Sequence, residues 1–574
     1  MLAAGVIGTP HGAAAAGCEE LVGSELLGHG TITATAAVPA GTFTAPDTTA
    51  YQNLPAFCRV FATLAPTPDS DIKIEVWLPQ GTAWNGRFVG SGNGGYAGAI
   101  RYDELAGAAQ LGFAVANTDM GTTPATVLDG KPIVGHPEKW IDWGYRSTHL
   151  MTLAGKEIVR AFYDRGADHS YFTGCSTGGG QALHEAQQFP NDYDGILAGA
   201  PAENRTHLHA EIVWAYAVPN RSPESLIPLD KAQLITQAVL AACAGQDGGL
   251  PSDTYLTDPH ACHWNPSALL CQGGANDTSQ CLTPAQVDTA ELLYDGPRNP
   301  RTERLIYPGV PRGSESGSTF DWAALEGLSP ILPTTEPQFD GLFYWVFGSN
   351  WDWHGFDFDR NMLQTDAVLA AILNANSPDL HTFRAHGGKL LGFHGWADAL
   401  VPPQDFVNYY RRVGALLRGS DGQRSRQDED GLIGSVAQVG SGQPENADSA
   451  TASNQRTQSF FRLFMVPGMG HCGGGPGPNQ FYNGGFSPVP ADAQHNALLA
   501  LQRWVEDGVA PQQIVATKYV NDDPAQGVAQ TRPLCVFPQV AHYGGQGDVN
   551  DAASFECVPG SKQDNPRVAP QYLR

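Results

Sequence analysis

The sequence predicts an α/β fold built on a mostly parallel sheet. Short apolar runs alternate with longer helix-like stretches in residues 71–201 and again in 379–574. Three of those apolar runs end in loops that carry Ser176, Asp398 and His471. Loops after the C-terminal ends of parallel strands gather on one edge of the sheet, so this arrangement brings the three residues together. Residues 202–378 lack the alternation and are expected to form a large inserted lid domain.

Residues 71–78 alternate polar and apolar side chains, the pattern of a half-buried strand, and 87–90 form a second strand. A helix is expected over 102–111, a strand over 113–119 and a long helix over 148–163. The strand Tyr171-Phe172-Thr173 leads into Gly174-Cys175-Ser176-Thr177-Gly178, a helix-like run over 181–189 and a strand over 195–198. After the insertion the rhythm resumes with a strand over 389–394, a helix over 406–417, a strand over 461–466 and a helix over 493–505. The Gly-, Ser-, Asp- and Asn-rich stretch 419–458 is read as a flexible surface insertion. The boundaries expected are 18–201 with 379–574 for the catalytic core, 202–378 for the lid, and 1–17 for a leader or a recombinant remnant. Those first residues lack the basic start and apolar centre of an export signal.

The chain has 574 residues and a formal net charge of −25, from 58 acidic against 33 basic residues. Nucleic acid is excluded as a partner, because phosphate binding requires clustered Lys and Arg. A membrane partner is excluded too, since no apolar run reaches the ~20 residues a spanning helix needs. Ten cysteines without a C-x-x-C motif argue for an oxidising compartment, so the protein is expected to be secreted or periplasmic. Asn204, Asn220 and Asn276 open N-x-S/T triplets, which matter only in a host that glycosylates.

The pentapeptide Gly174–Gly178 is G-x-S-x-G between a strand and a helix. Such a turn pushes a serine hydroxyl out at the strand end, beside helix N–H groups that suit a developing oxyanion. A plain glycine-rich turn is the competing reading. Downstream, Leu390-Leu391-Gly392-Phe393-His394-Gly395-Trp396-Ala397-Asp398 is a strand and a loop bearing a carboxylate, and 461–473 is a strand and a loop bearing His471. The chain order Ser, Asp, His is the order of α/β-hydrolases. Ser176 is then the nucleophile, His471 the base and Asp398 its orienting carboxylate. Asp405 is the nearest rival to Asp398, but it opens a helix and is read as its cap.

Cys175 precedes Ser176, and Cys472 follows His471. A bridge between them would tie nucleophile and base together, with a loop-entropy gain of roughly 5 kcal/mol as an upper figure. For the oxyanion, one donor is expected at the N–H of Thr177 and the second in Gly92-Asn93-Gly94-Gly95, with Gly94 preferred and Gly95 close behind. The same loop, Gly90-Ser91-Gly92-Asn93-Gly94-Gly95, matches G-x-G-x-x-G with Asp119 closing the next strand. A dinucleotide-binding oxidoreductase is therefore the alternative from another class. A non-catalytic hydrolase-like binder is a third, disfavoured because all three triad residues are present.

Gly174-Cys175-Ser176-Thr177-Gly178-Gly179, His394-Gly395-Trp396-Ala397-Asp398 and Met465-Val466-Pro467-Gly468-Met469-Gly470-His471-Cys472, with the glycines that follow, resemble the tannase and feruloyl esterase family. That family also holds the mono(2-hydroxyethyl) terephthalate hydrolases. The likeness runs from about Cys18 to Cys557. It implies an α/β-hydrolase core with an inserted lid, a small aromatic ester as substrate (feruloyl or phenolic, with galloyl or terephthalate monoesters as alternatives), and no cofactor needed for catalysis. It also implies the pairs Cys18–Cys58, Cys175–Cys472, Cys243–Cys262, Cys271–Cys281 and Cys535–Cys557. Family lids carry a structural calcium in an Asp-rich turn. Here that turn begins Cys243-Ala244, with alanine in place of the first Asp, which leaves Asp247 and Asp253 as candidate ligands. The lid aromatics Phe339, Phe343, Tyr344, Trp345, Phe347, Trp351 and Trp353 either stack on an aromatic acyl group or form lid core, the latter being commoner.

Overall fold

The computed structural model describes residues 17–272, 280–427, 454–482 and 489–560. Its first eight strands are β1 (Glu25–Leu26), β2 (Gly30–Val38), β3 (Gly41–Thr44), β4 (Ala50–Leu54), β5 (Phe57–Leu64), β6 (Ile72–Pro79), β7 (Arg87–Ser91) and β8 (Ala114–Thr118). Then follow β9 (His169–Cys175), β10 (Gly195–Gly199), β11 (Lys389–Gly395), β12 (Phe461–Val466), β13 (Gln513–Tyr519), β14 (Val528–Cys535), β15 (Gln539–Tyr543) and β16 (Phe555–Pro559). Ten of these build one sheet in the order β1-β2-β5-β6-β8-β7-β9-β10-β11-β12. The strands from β8 to β12 pair in parallel, while β1, β2, β5 and β6 add an antiparallel wing.

The parallel strands are continuous apolar runs because both faces are covered. Successive side chains point to opposite faces. Phe88, Phe172, Ile196 and Leu390 pack on one side with Met151, Ile158, Ala182 and Leu183. The last four belong to α3 (Ser147–Tyr163) and α4 (Thr177–Gln188). Val89, Tyr171, Leu197 and Leu391 pack on the other side with Leu105, Ala109, Leu498 and Leu501. These come from α1 (Tyr102–Gln110) and the helix Ala497–Asp507. The latter helix starts where the Asn496 side chain accepts from the N–H groups of Leu498 and Leu499, and it stops at Gly508 with φ 70°. Residues 493–495 precede that cap, which is why the helix begins later than its sequence pattern suggests.

Between β10 and β11 the described residues form no strand. They include the helices α5 (Arg205–Ala217), α6 (Leu229–Cys243) and α7 (Pro284–Asp295), with α2 (Pro137–Ile141) lying earlier in the chain. Their apolar residues form a separate cluster that also takes in Trp143 from the π-helical segment Asp142–Arg146 and Tyr96, Met120, Leu400 and Val401 from loops at the C-terminal edge of the sheet. This segment is therefore packed over the edge that carries Ser176. The helix expected over 406–417 runs instead through Gln404–Gln427, into the stretch read as a flexible insertion. The remainder of that insertion, the leader and the Asn276 triplet lie largely or wholly outside the described residues. The five expected disulfides are all present, and no cysteine is free.

Candidate active site

Ser176 sits between β9 and α4 with φ 64° and ψ −120°, a backbone conformation that non-glycine residues rarely adopt. Glycines make the turn possible. A Cβ on Gly174 would lie 2.6 Å from the carbonyl oxygen of Gly178, and one on Gly92 would lie 2.5 Å from the Cα of Gly178. The Ser176 N–H donates to the carbonyl of Gly199 at 3.0 Å, and its own carbonyl accepts from Gly180 and Ala202. The end of β10 and the segment after it thus hold the turn from one side.

Asp398 lies in the loop after β11 and is fully buried. Its Oδ1 accepts from the backbone N–H groups of Leu400 and Val401 at 3.0 and 2.9 Å. Its Oδ2 lies 2.8 Å from His471 Nδ1 and 3.2 Å from His394 Nε2. Burial by itself raises this carboxyl. The adjacent charge of His471 and hydrogen bonds from both histidines outweigh it and hold Asp398 well below the usual carboxylate range. The acceptor opposite Nδ1 orients the His471 ring and turns Nε2 away from Asp398. Nε2 lies 3.7 Å from the Sγ of Cys472. The Cys175–Cys472 bridge, with Cα atoms 5.9 Å apart, joins the residue before Ser176 to the residue after His471. Asp398 and His471 are thus in contact, and Ser176 is tethered beside them. The Ser176 hydroxyl makes no hydrogen bond to His471 or to any other described residue.

The loop after β7 lies against α4. The Gly178 N–H donates to the Asn93 carbonyl at 2.8 Å, and the Asn93 N–H donates to Gln181 Oε1 at 2.8 Å. The Thr177 hydroxyl donates to the Gly95 carbonyl at 2.8 Å. The N–H groups of Thr177, Gly94 and Gly95 find no acceptor among the described residues. Gly95 has φ +50°, and a Cβ there would come within 1.8 Å of the Val127 carbonyl oxygen. Gly94 has no such constraint, and its Cβ position meets only an Arg101 nitrogen at 3.7 Å. The G-x-G-x-x-G match therefore belongs to this loop's packing on α4. Asp119, which that match also invoked, accepts from the N–H groups of Lys73 and Gly121.

A small cavity beside Ser176 is lined by Arg205, His209, Ile212, Phe339 and Leu400 among others. Arg205 stands at the start of α5. It donates to the Thr177 hydroxyl at 3.0 Å and lies over the Trp143 ring at 4.5 Å. It has no carboxylate partner among the described residues, and burial lowers its guanidinium to about 10. Burial, and then the charge of Arg205, push His209 down to about 3, so its ring is neutral, with Nδ1–H on the Phe339 carbonyl at 2.6 Å. Of the aromatics singled out in the sequence, Phe339 lines the cavity. Phe343 stacks on Trp351, and Trp345 stacks on Trp140 as core.

The Asp247 and Asp253 carboxylates are not free in this turn, since both already accept hydrogen bonds. Asp247 accepts from the N–H groups of Gly249 and Thr257. Asp253 accepts from the Leu250 N–H and from Arg532 at 3.1 Å. The guanidinium of Arg532 supplies the positive charge in this turn. Asp405 is not a cap either, since neither carboxylate oxygen accepts a hydrogen bond, and burial raises it to about 6. The sequence reading missed Arg205 and Phe320. The Phe320 ring meets His471 edge-on at 5.8 Å from within the 202–378 segment. His394, near the end of β11 and four residues before Asp398, had no role in that reading, although this spacing was a usable signal.

The family model for tannase and feruloyl esterase matches residues 58–558. An uncharacterized esterase of Xanthomonas campestris is 38% identical over 97% of this chain and 92% of its own length. A probable feruloyl esterase B of Aspergillus clavatus is 32% identical over 87% and 86%. The crystal structure of feruloyl esterase B from Aspergillus oryzae superposes with a TM-score of 0.77 at 27% identity, covering 94% of this chain and all of that one. Together these define a carboxylic-ester hydrolase on an α/β scaffold. The chain belongs to the tannase and feruloyl esterase family, whose esterases act without a cofactor. The oxidoreductase reading is thereby set aside.

Proposed function

We propose that the protein is an exported serine esterase acting on small aromatic esters. Ser176 is the nucleophile, His471 the general base and Asp398 its orienting carboxylate. The observation that carries this reading is the 2.8 Å contact between His471 Nδ1 and Asp398 Oδ2, in a loop tied by disulfide to the serine turn. Ser176 Oγ attacks the ester carbonyl as its proton passes to His471 Nε2. The oxyanion is received by the free N–H groups of Thr177 and of Gly94, with Gly95 as the neighbouring candidate. His471 returns the proton to the leaving alcohol. Water, deprotonated by the same ring, then releases the acid from the acyl-enzyme.

Residues 202–378 act as a lid in this reading. The cavity beside Ser176 is about 20 Å³, room for about one water, so an aromatic acyl group enters as the segment shifts. Phenolic acyl groups such as feruloyl suit Phe339 and the neutral His209. A second reading, a terephthalate monoester, is favoured by Arg205, a buried cation beside the serine with no carboxylate in ion-pair contact among the described residues. Five disulfides, together with the lack of any described helix long and apolar enough to cross a membrane, support export to the periplasm or medium.

A serine-directed phosphonate should add once, at Ser176, by peptide mass. Ser176→Ala should abolish turnover of methyl ferulate, methyl gallate and the terephthalate monoester while keeping the far-UV spectrum. Asp398→Asn should lower kcat about 10³–10⁴-fold. Full activity in the serine variant would remove the assignment.

A further inference from the structure

We propose that His149, Glu185 and Asp192 form a divalent-cation site that fastens α4 to α3. His149 stands in the first turn of α3, Glu185 in the last turn of α4, and Asp192 in the loop leading to β10. One ligand atom from each lies within 4.8 Å of the others. The site is about 13 Å along α4 from Ser176, by helix rise, so it takes no part in ester chemistry.

Glu185 is 1% exposed, and neither of its carboxylate oxygens has a hydrogen-bond partner. An ionised carboxylate left that way is strongly disfavoured. Its nearest anionic neighbour is Asp192, itself 9% exposed. Two carboxylates cannot hydrogen-bond one another without a proton or a cation between them. Lys156 faces the cluster and donates to the Asp192 backbone carbonyl. It brings one positive charge to a pair of carboxylates.

His149 Nδ1 points at Asp192 Oδ2 from 2.7 Å, and the ring is fixed by stacking on Phe189 with centroids 3.7 Å apart. An imidazole nitrogen with two carboxylates is a donor set for zinc, cobalt or manganese rather than for the oxygen-seeking calcium or magnesium. The His149 side chain is partly exposed, which gives an ion a way in from solvent. On binding, the ring proton sits on Nε2 and Nδ1 bonds the ion, taking over from the contact to Asp192.

The test uses the full-length protein stripped with chelator. One equivalent of Co²⁺ should give visible ligand-field bands, and excess Zn²⁺ should raise Tm by about 3 °C or more. Both responses should vanish in Glu185→Gln and in His149→Gln, while Ser176-dependent ester hydrolysis at 25 °C stays within about twofold. Two isosteric variants at different ligands guard against one failing to fold. Absence of both responses in the wild type overturns the site. So does an equal Zn²⁺ response in wild type and variants, which would locate the ion elsewhere. A Glu185→Gln protein more stable than the stripped wild type, with no metal response in either, would assign a proton-sharing carboxyl pair instead.

Discussion

Arg205 Nη1 donates to the Thr177 hydroxyl at 3.0 Å, and that hydroxyl donates onward to the Gly95 carbonyl at 2.8 Å. One buried guanidinium therefore holds the helix start against the glycine loop and also faces the cavity. The two roles separate kinetically. If the free face of Arg205 reads an anionic acyl group, Arg205→Met lowers kcat/KM for a terephthalate monoester at least 10-fold more than for methyl ferulate. A parallel loss on both esters would assign the residue to clamping Thr177 alone.

The bridge between Cys175 and Cys472 closes a separation of 297 residues. Cys175→Ser with Cys472→Ser should cost up to about 5 kcal/mol by the loop-entropy model. Catalysis should suffer more than secondary structure, because the pair sets the spacing of Ser176 and His471. Circular dichroism and kcat on the same preparation check this. Wild-type turnover in the double variant would make the bridge irrelevant to the site.

Arg532 and Asp253 form an ion pair with side chains 4% and 7% exposed, and the guanidinium also covers the Phe555 ring at 4.2 Å. The turn after Cys243 is thus anchored to the C-terminal hairpins by a fixed cation. A calcium chelator should leave Tm unchanged. Arg532→Ala should destabilise by about 3–5 kcal/mol, as expected when one partner of a buried pair is removed. Thermal unfolding with and without chelator tests both statements, and a chelator-induced drop in Tm would restore the calcium site.

Glu104 is raised to about 8, chiefly by burial, against the lowering influence of Arg101 and of the Tyr482 hydroxyl 3.1 Å away. In the unfolded chain this carboxyl ionises near 4.5. Between those values the native state holds a proton that the unfolded state has released. Its stabilising effect is complete below about pH 4.5 and is lost as pH rises through about 8. Glu104→Gln should flatten the decline of Tm across that window. An unchanged slope would show that other groups govern it.

The parallel half of the sheet was legible because its strands are apolar runs closed by glycines, as at Tyr171–Gly174 and Leu390–Gly392. The residues in the serine, aspartate and histidine loops were legible because each follows such a strand. The antiparallel wing was harder. β2 reads Gly-Thr-Ile-Thr-Ala-Thr-Ala-Ala-Val, with little apolar contrast, and gains its place by pairing with β5. Arg205 could not be found, because its meaning depends on α5 lying over Thr177, a tertiary fact without a local signature. The partner of Asp253 was hidden for a similar reason. Asp253 meets its cation from a strand 279 residues away.

β10 and β11 are adjacent, hydrogen-bonded partners, with Gly195 opposite Lys389 and Gly199 opposite Phe393. The polypeptide departs from the sheet and comes back next door, so the whole intervening block is anchored at two neighbouring points. Such a block can be exchanged between relatives as a cassette with little disturbance to the strands beneath. On the proposed function, this separates where the bond is broken from what is chosen to be broken, and selection can revise the second while leaving the first alone.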